Sequence, residues 1–298
     1  MSFHTIAILS PGEMGHAIGS SLINQGFNVT TFLKDRSPRT QQLSNLAGIN
    51  DIKDFNIMVT EADLILSILA PSNALDVAGR VASALEETGH QTIFVDCNAV
   101  SPETATKLDS MICDTGSKFI DASIVGSPPG KGTPPRIYVS GRQSDLMKSL
   151  DGPNMTVISL GNSVGQASGL KMCYAALTKG TSALHIALLA AAETMGLSEE
   201  LKKELVFSQS EIYRNMERQL PSIPMNAGRW VGEMEEISRT FERVGIPGNF
   251  HLGAAGIFDL LDRCHFAKET PENFDRNRTL METVSVLADS LMPRPESI

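Results

Sequence analysis

The sequence predicts an α/β domain with a mostly parallel, doubly wound sheet, followed by an all-α domain, with one long helix joining the two. Short apolar strands alternate with amphipathic helices up to about residue 160, a pattern typical of parallel sheets covered by helices. A glycine-rich segment from Gly161 then opens a run of helix-forming, mostly small and apolar residues that continues to about Met195. No strand pattern recurs beyond that run. We therefore place the domains at residues 1–161 and 162–298.

The composition is that of an ordinary globular protein large enough for two domains. Of the 298 residues, 42% are hydrophobic and 20% are charged. The net charge of −9, with no compensating stripe of Lys or Arg, argues against nucleic acid as a partner but is compatible with a small-molecule substrate held by local cations. No apolar run reaches the roughly 20 residues of a membrane span without interruption. We therefore expect no membrane association.

The four cysteines and six histidines show neither disulfide-like nor metal-like spacing. We therefore expect a reducing, cytoplasmic environment, no structural disulfide and no metal site. The N-terminus runs straight into a strand and lacks the basic flank of a signal peptide. At the other end, we expect the tail from Pro293 onward to be frayed.

A glycine turn between the first strand and the first helix predicts a Rossmann-like, dinucleotide-binding unit. Thr5–Leu9 is an apolar strand, helical spacing follows Gly12, and Gly26–Leu33 is a second strand. Gly12 lets the backbone approach a pyrophosphate, Gly15 permits close helix packing, and the helix N-terminus favours the phosphate charge. Ser10 departs from the pattern because it occupies the first glycine position, and a simple tight turn is the alternative. The cofactor-binding residues predicted here are Pro11, Gly12, Glu13 and Met14.

The turn after the second strand favours NADP over NAD. It reads Lys34-Asp-Arg-Ser-Pro-Arg-Thr40 and lies where such domains contact the adenosine ribose. An acidic residue such as Asp35 suits the free 2′-hydroxyl of NAD, whereas Arg with Ser or Thr suits a 2′-phosphate. The predicted phosphate ligands are Arg36, Ser37 and Arg39. The alternative is a solvated turn in which Ser37 or Thr40 caps the next helix.

Three later strands are expected to end at one edge of the sheet. They are Ala62–Leu69, Thr92–Asp96 and Phe119–Gly126. Open α/β sheets bind their ligands at the carboxyl ends of the strands. The residues expected to face the nicotinamide are Leu69, Ala70, Ser72, Asp96 and Asn98.

A loop rich in Pro and Gly, Ser127–Pro135, precedes the last two predicted strands. These strands are Arg136–Ser140 and Met155–Ser159, with a helix predicted between them. We interpret the loop cation Lys131 as solvated, with attraction of an anion as the alternative.

The long helix carries one cation near its start, Lys171. A buried Lys must be paired, or its pKa falls and it becomes a usable acid or base; the alternative is a Lys that reaches solvent along its stem. Tyr174 and Thr178 lie three and seven residues further on and share its helix face. We interpret Tyr174 either as a second catalytic residue, binding substrate or assisting proton donation, or as an aromatic that fills the space between the domains.

The sequence of the C-terminal domain predicts amphipathic helices. An apolar stripe runs from Trp230 to Val244, and Gly245 ends that helix. Trp230 belongs to this stripe and is expected to pack within it, and Glu233 lies beside the stripe. Two further helical patterns are Gly253–Leu261 and Asn277–Leu291.

Four segments of the chain share the pattern of one known family. They are Pro11–Gly15, Asp121–Ser127, Gly161–Lys171 and Arg229–Ile237. The first is a glycine turn ending in Met-Gly, the second an Asp before a glycine-containing loop, and the third a glycine-rich entry to a helix with a Lys. Through them the chain resembles the β-hydroxyacid dehydrogenase superfamily, which includes 6-phosphogluconate dehydrogenase. The fourth segment is similar to the shorter helical domain of a phosphogluconate-dehydrogenase-like branch.

The resemblance implies a catalytic Lys171 in a cleft between the two domains, a substrate loop, and a homodimer formed through the helical domains. It also implies that the partner chain helps to close the site. The substrate-binding residues that follow from it, or that line the same side, are Ser123, Ile124, Val125, Gly126, Thr178, Trp230 and Glu233.

Two departures from the family pattern concern the substrate. Val125 stands where the family has a Ser, and Ala175 stands where it has an Asn one turn after the Lys. The expected substrate is therefore not a standard 3-hydroxy acid. It is not 6-phosphogluconate either, because the resemblance implies a much longer helical domain for the enzyme that uses that substrate. Imine reductases share the architecture but usually lack the Lys, so Lys171 favours alcohol and carbonyl chemistry.

These patterns predict hydride transfer between NADP and a small hydroxy or carbonyl compound, with Lys171 as general acid and base. One alternative is an imine or ketimine reductase in which Tyr174 or Lys171 donates the proton. The other is a dinucleotide-binding protein without catalysis.

Overall fold

A computed structural model describes residues 3–291 of the chain, with side chains up to residue 289. The tail from Pro293, predicted to be frayed, lies outside the described residues. The chain divides into two compact units, Met1–Met172 and Cys173–Ile298. The sequence places the boundary at residue 161, before the long helix, whereas this division falls inside that helix.

The first unit contains an eight-stranded sheet with the strand order β3-β2-β1-β4-β5-β6-β7-β8. Every neighbouring pair is parallel except β6 and β7, which are antiparallel. The prediction of a mostly parallel, doubly wound sheet is therefore confirmed. The strands are β1 Thr5–Leu9, β2 Asn28–Thr31, β3 Asn50–Asp51, β4 Leu64–Ser67, β5 Ile93–Asp96, β6 Lys118–Val125, β7 Arg136–Ser140 and β8 Thr156–Ser159.

The order of the strands reverses at β1, which pairs with β2 on one side and β4 on the other. At such a switch point the connections leave to opposite faces of the sheet and open a crevice at the carboxyl ends of the strands. The predicted nucleotide-binding turn follows β1 directly, so the sheet places it at this crevice.

Eleven α-helices are present in the described chain. They are α1 Glu13–Asn24, α2 Pro38–Ala47, α3 Phe55–Glu61, α4 Ala74–Thr88, α5 Pro102–Cys113, α6 Gln166–Thr194, α7 Ser198–Ser208, α8 Ser210–Gln219, α9 Ala227–Arg243, α10 Asn249–Asp262 and α11 Leu280–Leu291. After β8, all elements of the described residues are helical, which confirms the prediction of an all-α region after the sheet. The helix predicted between β7 and β8 is a 3₁₀-helix, Ser144–Leu150.

Alternating strand residues build a core on each face of the sheet. Ile6 and Ile8 of β1 pack on one face with Ile18 of α1, whereas Ala7 and Leu9 pack on the other with residues of α3, α4 and α5. Parallel strands covered on both faces read as continuous apolar runs, which is why the sequence shows them clearly. The short strand β3 was missed because its two residues, Asn50 and Asp51, are polar.

The long helix α6 is anchored by a buried carboxylate. Oδ2 of Asp121, on β6, accepts hydrogen bonds from the backbone N–H groups of Gly165, Ala167 and Ser168 at 2.9, 3.1 and 3.2 Å. Its Oδ1 accepts the hydroxyl of Ser168 at 2.6 Å, and Oδ2 also accepts the hydroxyl of Ser140 at 2.8 Å. A carboxylate in this position satisfies N–H groups that have no partner within the helix and interacts favourably with the helix dipole.

By length and composition, α6 is the one helix of residues 3–291 that could cross a membrane. Its most apolar window is 39% buried, and core helices of soluble proteins pass the same test. The capping by Asp121 and the ion pair of Lys179 described below are contacts expected of a core helix.

The helical unit has its own core. Met234 and Ile237 of α9 and Phe258 and Leu261 of α10 are fully buried. Val244, predicted to continue the stripe of α9, is 70% exposed because the helix ends at Arg243.

Candidate functional site

The glycine turn after β1 has the geometry of an anion cradle. Ser10 adopts φ 62°, the left-handed conformation that the missing glycine would take without cost, and its carbonyl accepts the N–H of Gly12 at 2.7 Å. Gly12 is the N-cap of α1, and no side chain caps that helix. A Cβ on Gly12 would meet only the oxygen of Ser10, at 4.0 Å, so the space before the first turn is open. The backbone N–H groups of Glu13 and the residues after it therefore fit a pyrophosphate.

Gly15 serves packing rather than ligand approach. A Cβ there would lie 3.1 Å from the oxygen of Ser10 and 3.4 Å from Cγ2 of Ile8. Helix α1 therefore rests directly on β1, as the sequence predicts. Met14, also predicted to bind the cofactor, packs partly buried against the core on this face.

The carboxylate of Glu13 joins two cations beside the turn. It forms ion pairs with Arg39 of α2 at 2.6 Å and with Lys131 of the Pro- and Gly-rich loop at 2.5 Å. Burial raises the pKa of Glu13, but hydrogen bonds and charges of Lys131 and Arg39 outweigh this effect and hold the pKa below its usual range. Two predictions are affected. Lys131 contacts a carboxylate instead of being only solvated, and the charge of Arg39, a predicted phosphate ligand, is balanced by Glu13.

The turn after β2 contains both the predicted cation and the predicted cap. Asp35 adopts φ 63°, and the N–H of Arg36 donates to the carbonyl of Leu33 at 3.0 Å. Ser37 is the N-cap of α2 and accepts the N–H of Thr40 at 3.2 Å, which is the capping role left open by the sequence. Arg36 is half-buried, and burial together with the charge of Arg80 lowers its pKa.

Asn98 connects the carboxyl ends of β4 and β5. Its Oδ1 accepts the N–H of Leu69 at 2.5 Å, and its Nδ2 donates to Ser67 at 2.9 Å and to Asp96 at 2.5 Å. The side chain is buried and all three of its hydrogen bonds are internal. Asn98 therefore shapes the loop of Leu69 and Ala70, which are partly exposed, while its own amide points inward.

Two buried carboxyl groups lie side by side beneath this edge. Asp96 and Asp121 are register partners on the adjacent parallel strands β5 and β6. Burial, and then the charge of Asp121, raise the pKa of Asp96 to about 7, against hydrogen bonds from Asn98 and Ser67 that lower it. Asp96, which the sequence places toward the nicotinamide, is fully buried and contacts these neighbours.

The end of β6 brings a backbone oxygen to the predicted catalytic cation. The ammonium group of Lys171 donates to the carbonyl of Ile124 at 2.8 Å. Gly126 follows with φ 119°, and a Cβ there would lie 3.2 Å from Cα of Pro135, so only glycine fits. Ser123 and Val125 are buried within the strand, and the hydroxyl of Ser123 has no hydrogen-bond partner among the described atoms.

The other predicted site residues lie in the helical unit. Tyr174 and Thr178 are exposed on α6, and the hydroxyl of Thr178 donates to the carbonyl of Tyr174 at 3.3 Å. Trp230 packs edge-to-face on Phe258, with ring centroids 5.2 Å apart.

Glu233 contacts a cation that sequence reasoning missed. It forms a buried ion pair with Lys179 of α6 at 2.8 Å and a longer one with Arg229 at 3.6 Å. The ammonium of Lys179 also lies 5.4 Å from the centre of the Trp230 ring. The only sequence signal was a second Lys, eight residues after Lys171, in an otherwise apolar helix.

No His, Cys, Asp or Glu side chains within the described part of the chain are grouped in threes as a metal site requires.

Residues 5–151 match the family described as the NAD binding domain of 6-phosphogluconate dehydrogenase, and residues 192–261 match a domain of unknown function, DUF1932. An uncharacterized 28.5 kDa protein of Methanothermus fervidus, from the 7S RNA 5′ region, is 31% identical over 194 residues, which are 64% of this chain and 73% of the relative. The chain belongs to the β-hydroxyacid dehydrogenase superfamily. Its resemblance to that superfamily, predicted from four segments, is thereby confirmed.

Solved structures show the same superfamily fold. The conserved protein MTH1747, described as structurally similar to 3-hydroxyacid dehydrogenases, is 30% identical, with a TM-score of 0.62 over 86% of this chain and 96% of that one. The 3-hydroxyisobutyrate dehydrogenase of Mycobacterium tuberculosis is 18% identical, with a TM-score of 0.67 over 98% and 100% of the two chains. An imine reductase of Myxococcus stipitatus is 17% identical, with a TM-score of 0.51 over 88% and 93%.

As a member of the β-hydroxyacid dehydrogenase superfamily, the chain has an NAD(P)-binding N-terminal domain of the dehydrogenase type. The open glycine turn, the uncapped start of α1 and the strand ends at the switch point are the features that fit a dinucleotide.

Proposed function

We propose that the protein transfers a hydride between NADP and a small hydroxy or carbonyl compound, with Lys171 as general acid and base. The observation that carries this proposal is the hydrogen bond from Lys171 to the carbonyl of Ile124, at the carboxyl end of a sheet strand. Ligands of this fold bind at that edge. A partly buried ammonium group held there is in reach of a reacting oxygen.

A bound nicotinamide dinucleotide supplies the redox chemistry. The backbone N–H groups at the start of α1 hold the pyrophosphate, and Pro11 and Gly12 shape the turn that admits it. Asn98 fixes the loop of Leu69 and Ala70 beside the nicotinamide position. On oxidation of an alcohol, Lys171 takes the hydroxyl proton as the hydride leaves carbon; on reduction it returns that proton to the carbonyl oxygen.

The residues proposed to contact the substrate belong to the substrate loop and to the helical unit. Ile124 positions Lys171, and the exposed Gly126 lets substrate approach the backbone. Tyr174 and Thr178, three and seven residues after Lys171 on α6, share its helix face and contact the substrate; Tyr174 assists proton donation. Trp230 and Glu233 are the proposed substrate contacts of α9 in the helical unit. Val125 is apolar and buried, so selectivity for a carboxylate does not come from its side chain.

NADP is the preferred cofactor because of Arg36. This half-buried guanidinium lies in the turn after β2, where the adenosine ribose binds in this fold, and forms no ion pair among the described residues. A guanidinium binds a phosphate through charge-assisted, bidentate hydrogen bonds. Ser37 lies next to Arg36; its hydroxyl accepts the N–H of Thr40 and shares a hydrogen bond of 3.0 Å with the Thr40 hydroxyl.

Reduction of an imine or ketimine is the second candidate. It is favoured by the apolar side chains of Val125 and Ala175 at positions where hydroxy-acid enzymes of the superfamily are expected to be polar. The same Lys171, or Tyr174, would donate the proton to nitrogen.

The protein acts as a homodimer through its helical unit, in the cytoplasm. Large apolar side chains stay exposed there, including Phe207 at 87%, Phe250 at 55% and Leu184 at 52%. Exposed apolar surface of this kind is typical of protein interfaces. The four cysteines have no disulfide-like spacing in the sequence, which suits a reducing compartment. A monomer in sedimentation at micromolar concentration would contradict the dimer.

To test the function, small carbonyl compounds and matched imines are incubated with the protein and NADPH, and the reduced products are measured. Carbonyl turnover supports the proposal, turnover of imines alone selects the second candidate, and tight NADPH binding without any turnover indicates a non-catalytic protein. A cofactor arm compares NADPH with NADH for the wild type and Arg36→Ala. We expect the variant to lose about tenfold or more of the NADPH preference, whereas Arg142→Ala, after β7, keeps it.

A further inference from the structure

We propose that Arg80 on α4 is a second cation of the site that receives the 2′-phosphate of NADP, acting together with Arg36. This inference rests on the proposed preference for NADP and adds a specificity-determining residue to it. Arg80 belongs to no pattern in the sequence that points to the cofactor.

Arg80 is held against an aromatic wall at the carboxyl end of β2. Its guanidinium carbon lies 4.0 Å from the centre of the Phe55 ring and 5.1 Å from that of Phe32. The two rings meet edge-to-face, with centroids 5.5 Å apart. A guanidinium stacked on aromatic faces is fixed in orientation, while its N–H groups at the edge stay available for an acceptor.

The wall lies beside the turn that carries Arg36. Phe32 directly follows β2 and is buried, and Arg36 comes four residues later in a turn closed by its own N–H bond to Leu33. The charge of Arg80 contributes to lowering the pKa of Arg36, so the two guanidinium groups are close enough to repel each other.

This pair of like charges has no counter-ion. Neither Arg36 nor Arg80 forms an ion pair within residues 3–291, although acidic residues exceed basic ones in the chain by 34 to 25. Arg39, by contrast, lies against Glu13. Two adjacent cations that pair with no carboxylate of the described residues form a site for a dianion, since an anion between them removes their repulsion and accepts several charge-assisted hydrogen bonds.

The location selects the ligand. In a dinucleotide-binding sheet, the end of β2 is where the adenosine ribose binds, and a 2′-phosphate is the dianion that distinguishes NADP from NAD there. Contact between Arg80 and this phosphate therefore raises the affinity for NADPH and leaves the affinity for NADH unchanged. If Arg80 only packed against Phe32 and Phe55, its replacement would change the affinities for both dinucleotides alike.

The test measures dissociation constants of NADPH, NADH, 2′,5′-ADP and ADP for the full-length protein and its variants. Arg80→Met retains the apolar packing but removes the charge, and Arg80→Lys retains the charge but removes the planar fork. Arg142→Met is the matched control, because it makes the same change in net charge after β7, which four strands separate from β2 in the sheet.

We expect Arg80→Met to raise the dissociation constants of NADPH and 2′,5′-ADP by about tenfold, as for loss of one charge-assisted hydrogen-bonding group. The dissociation constants of NADH and ADP should stay within about twofold of the wild-type values. The NADPH affinity of Arg80→Lys should lie between that of the wild type and that of Arg80→Met. The inference is overturned if Arg80→Met binds NADPH like the wild type while Arg36→Ala does not, or if it weakens NADPH and NADH equally. A wild type that binds NADH as tightly as NADPH would instead overturn the cofactor proposal itself.

Discussion

The ammonium group of Lys171 donates a hydrogen bond of 2.8 Å to the carbonyl oxygen of Ile124. Ile124 is the penultimate residue of β6, and Lys171 lies in the second turn of α6, so one contact joins the strand end to the helix. A backbone oxygen cannot take a proton from the ammonium under ordinary conditions. It can orient the group while another N–H points to a substrate oxygen, which is the arrangement a general acid requires.

We therefore expect Lys171→Met to lower kcat by about 10²- to 10⁴-fold, the usual contribution of general acid–base catalysis. NADPH affinity should remain within about twofold, because the dinucleotide contacts are made by the β1 turn. Lys171→Arg, which keeps the charge but cannot give up its proton near neutral pH, should be nearly as inactive. Steady-state kinetics with a separate titration of NADPH check this. Full turnover in Lys171→Met would exclude the catalytic role.

The capping of α6 by Asp121 leads to a stability prediction. The carboxylate accepts five buried hydrogen bonds, from Ser140, Gly165, Ala167 and Ser168. Asp121→Ala should lower the free energy of unfolding by about 3 kcal/mol, since several buried donors lose their acceptor. Ser168→Ala removes one hydroxyl donor and should cost about 1 kcal/mol. Urea denaturation measures both, and equal midpoints for the two variants would contradict the central role of the carboxylate.

The raised pKa of Asp96 predicts a pH dependence of stability. Its pKa is about 7 in the folded chain against an ordinary value of 3.8. Between these values the folded state binds a proton that the unfolded state does not, so stability falls with rising pH, by up to about 1.4 kcal/mol per pH unit. The contribution is complete below pH 3.8 and is lost as pH rises through about 7. The urea midpoint should therefore fall more between pH 5 and pH 8 for the wild type than for Asp96→Asn, whose side chain cannot titrate. Parallel changes in both proteins would argue against this assignment.

Local patterns allowed most of the fold to be predicted. The β1 strand, the turn at Gly12 and the helix after it are adjacent in sequence, and turn and helix signals act over a few residues. The parallel strands were visible because burial on both faces makes each a continuous apolar run. The long helix was visible because its run of small and apolar residues contains no Pro, Asn or Asp.

The functions of individual side chains were harder to predict, because their partners are distant in sequence. Asp121 was noted as part of a motif, but its role as a cap depends on N–H groups 44 to 47 residues away. Asn98 was expected to face a ligand, and the sequence did not reveal that its side chain accepts a backbone N–H 29 residues earlier. Arg39, predicted to bind a phosphate, also forms an ion pair with Glu13, which lies 26 residues earlier. Such pairings follow from topology, which local propensity does not encode.

The ion pair of Lys179 and Glu233 provides the last prediction, within the helical unit. Their side chains are only 12% and 6% exposed, and the ammonium also lies over Trp230. Removing one partner of a buried pair leaves an uncompensated charge, so Lys179→Met should destabilise the protein by about 3 kcal/mol. The double variant Lys179→Met with Glu233→Gln should recover part of that loss, because no buried charge remains without its main partner. Arg229, 3.6 Å from Glu233 and more exposed, serves as the control: Arg229→Met should cost less than about 1 kcal/mol. Chemical denaturation of the wild type, Lys179→Met, Glu233→Gln and the double variant measures the coupling. Strictly additive effects would show that the pair contributes nothing beyond its separate contacts.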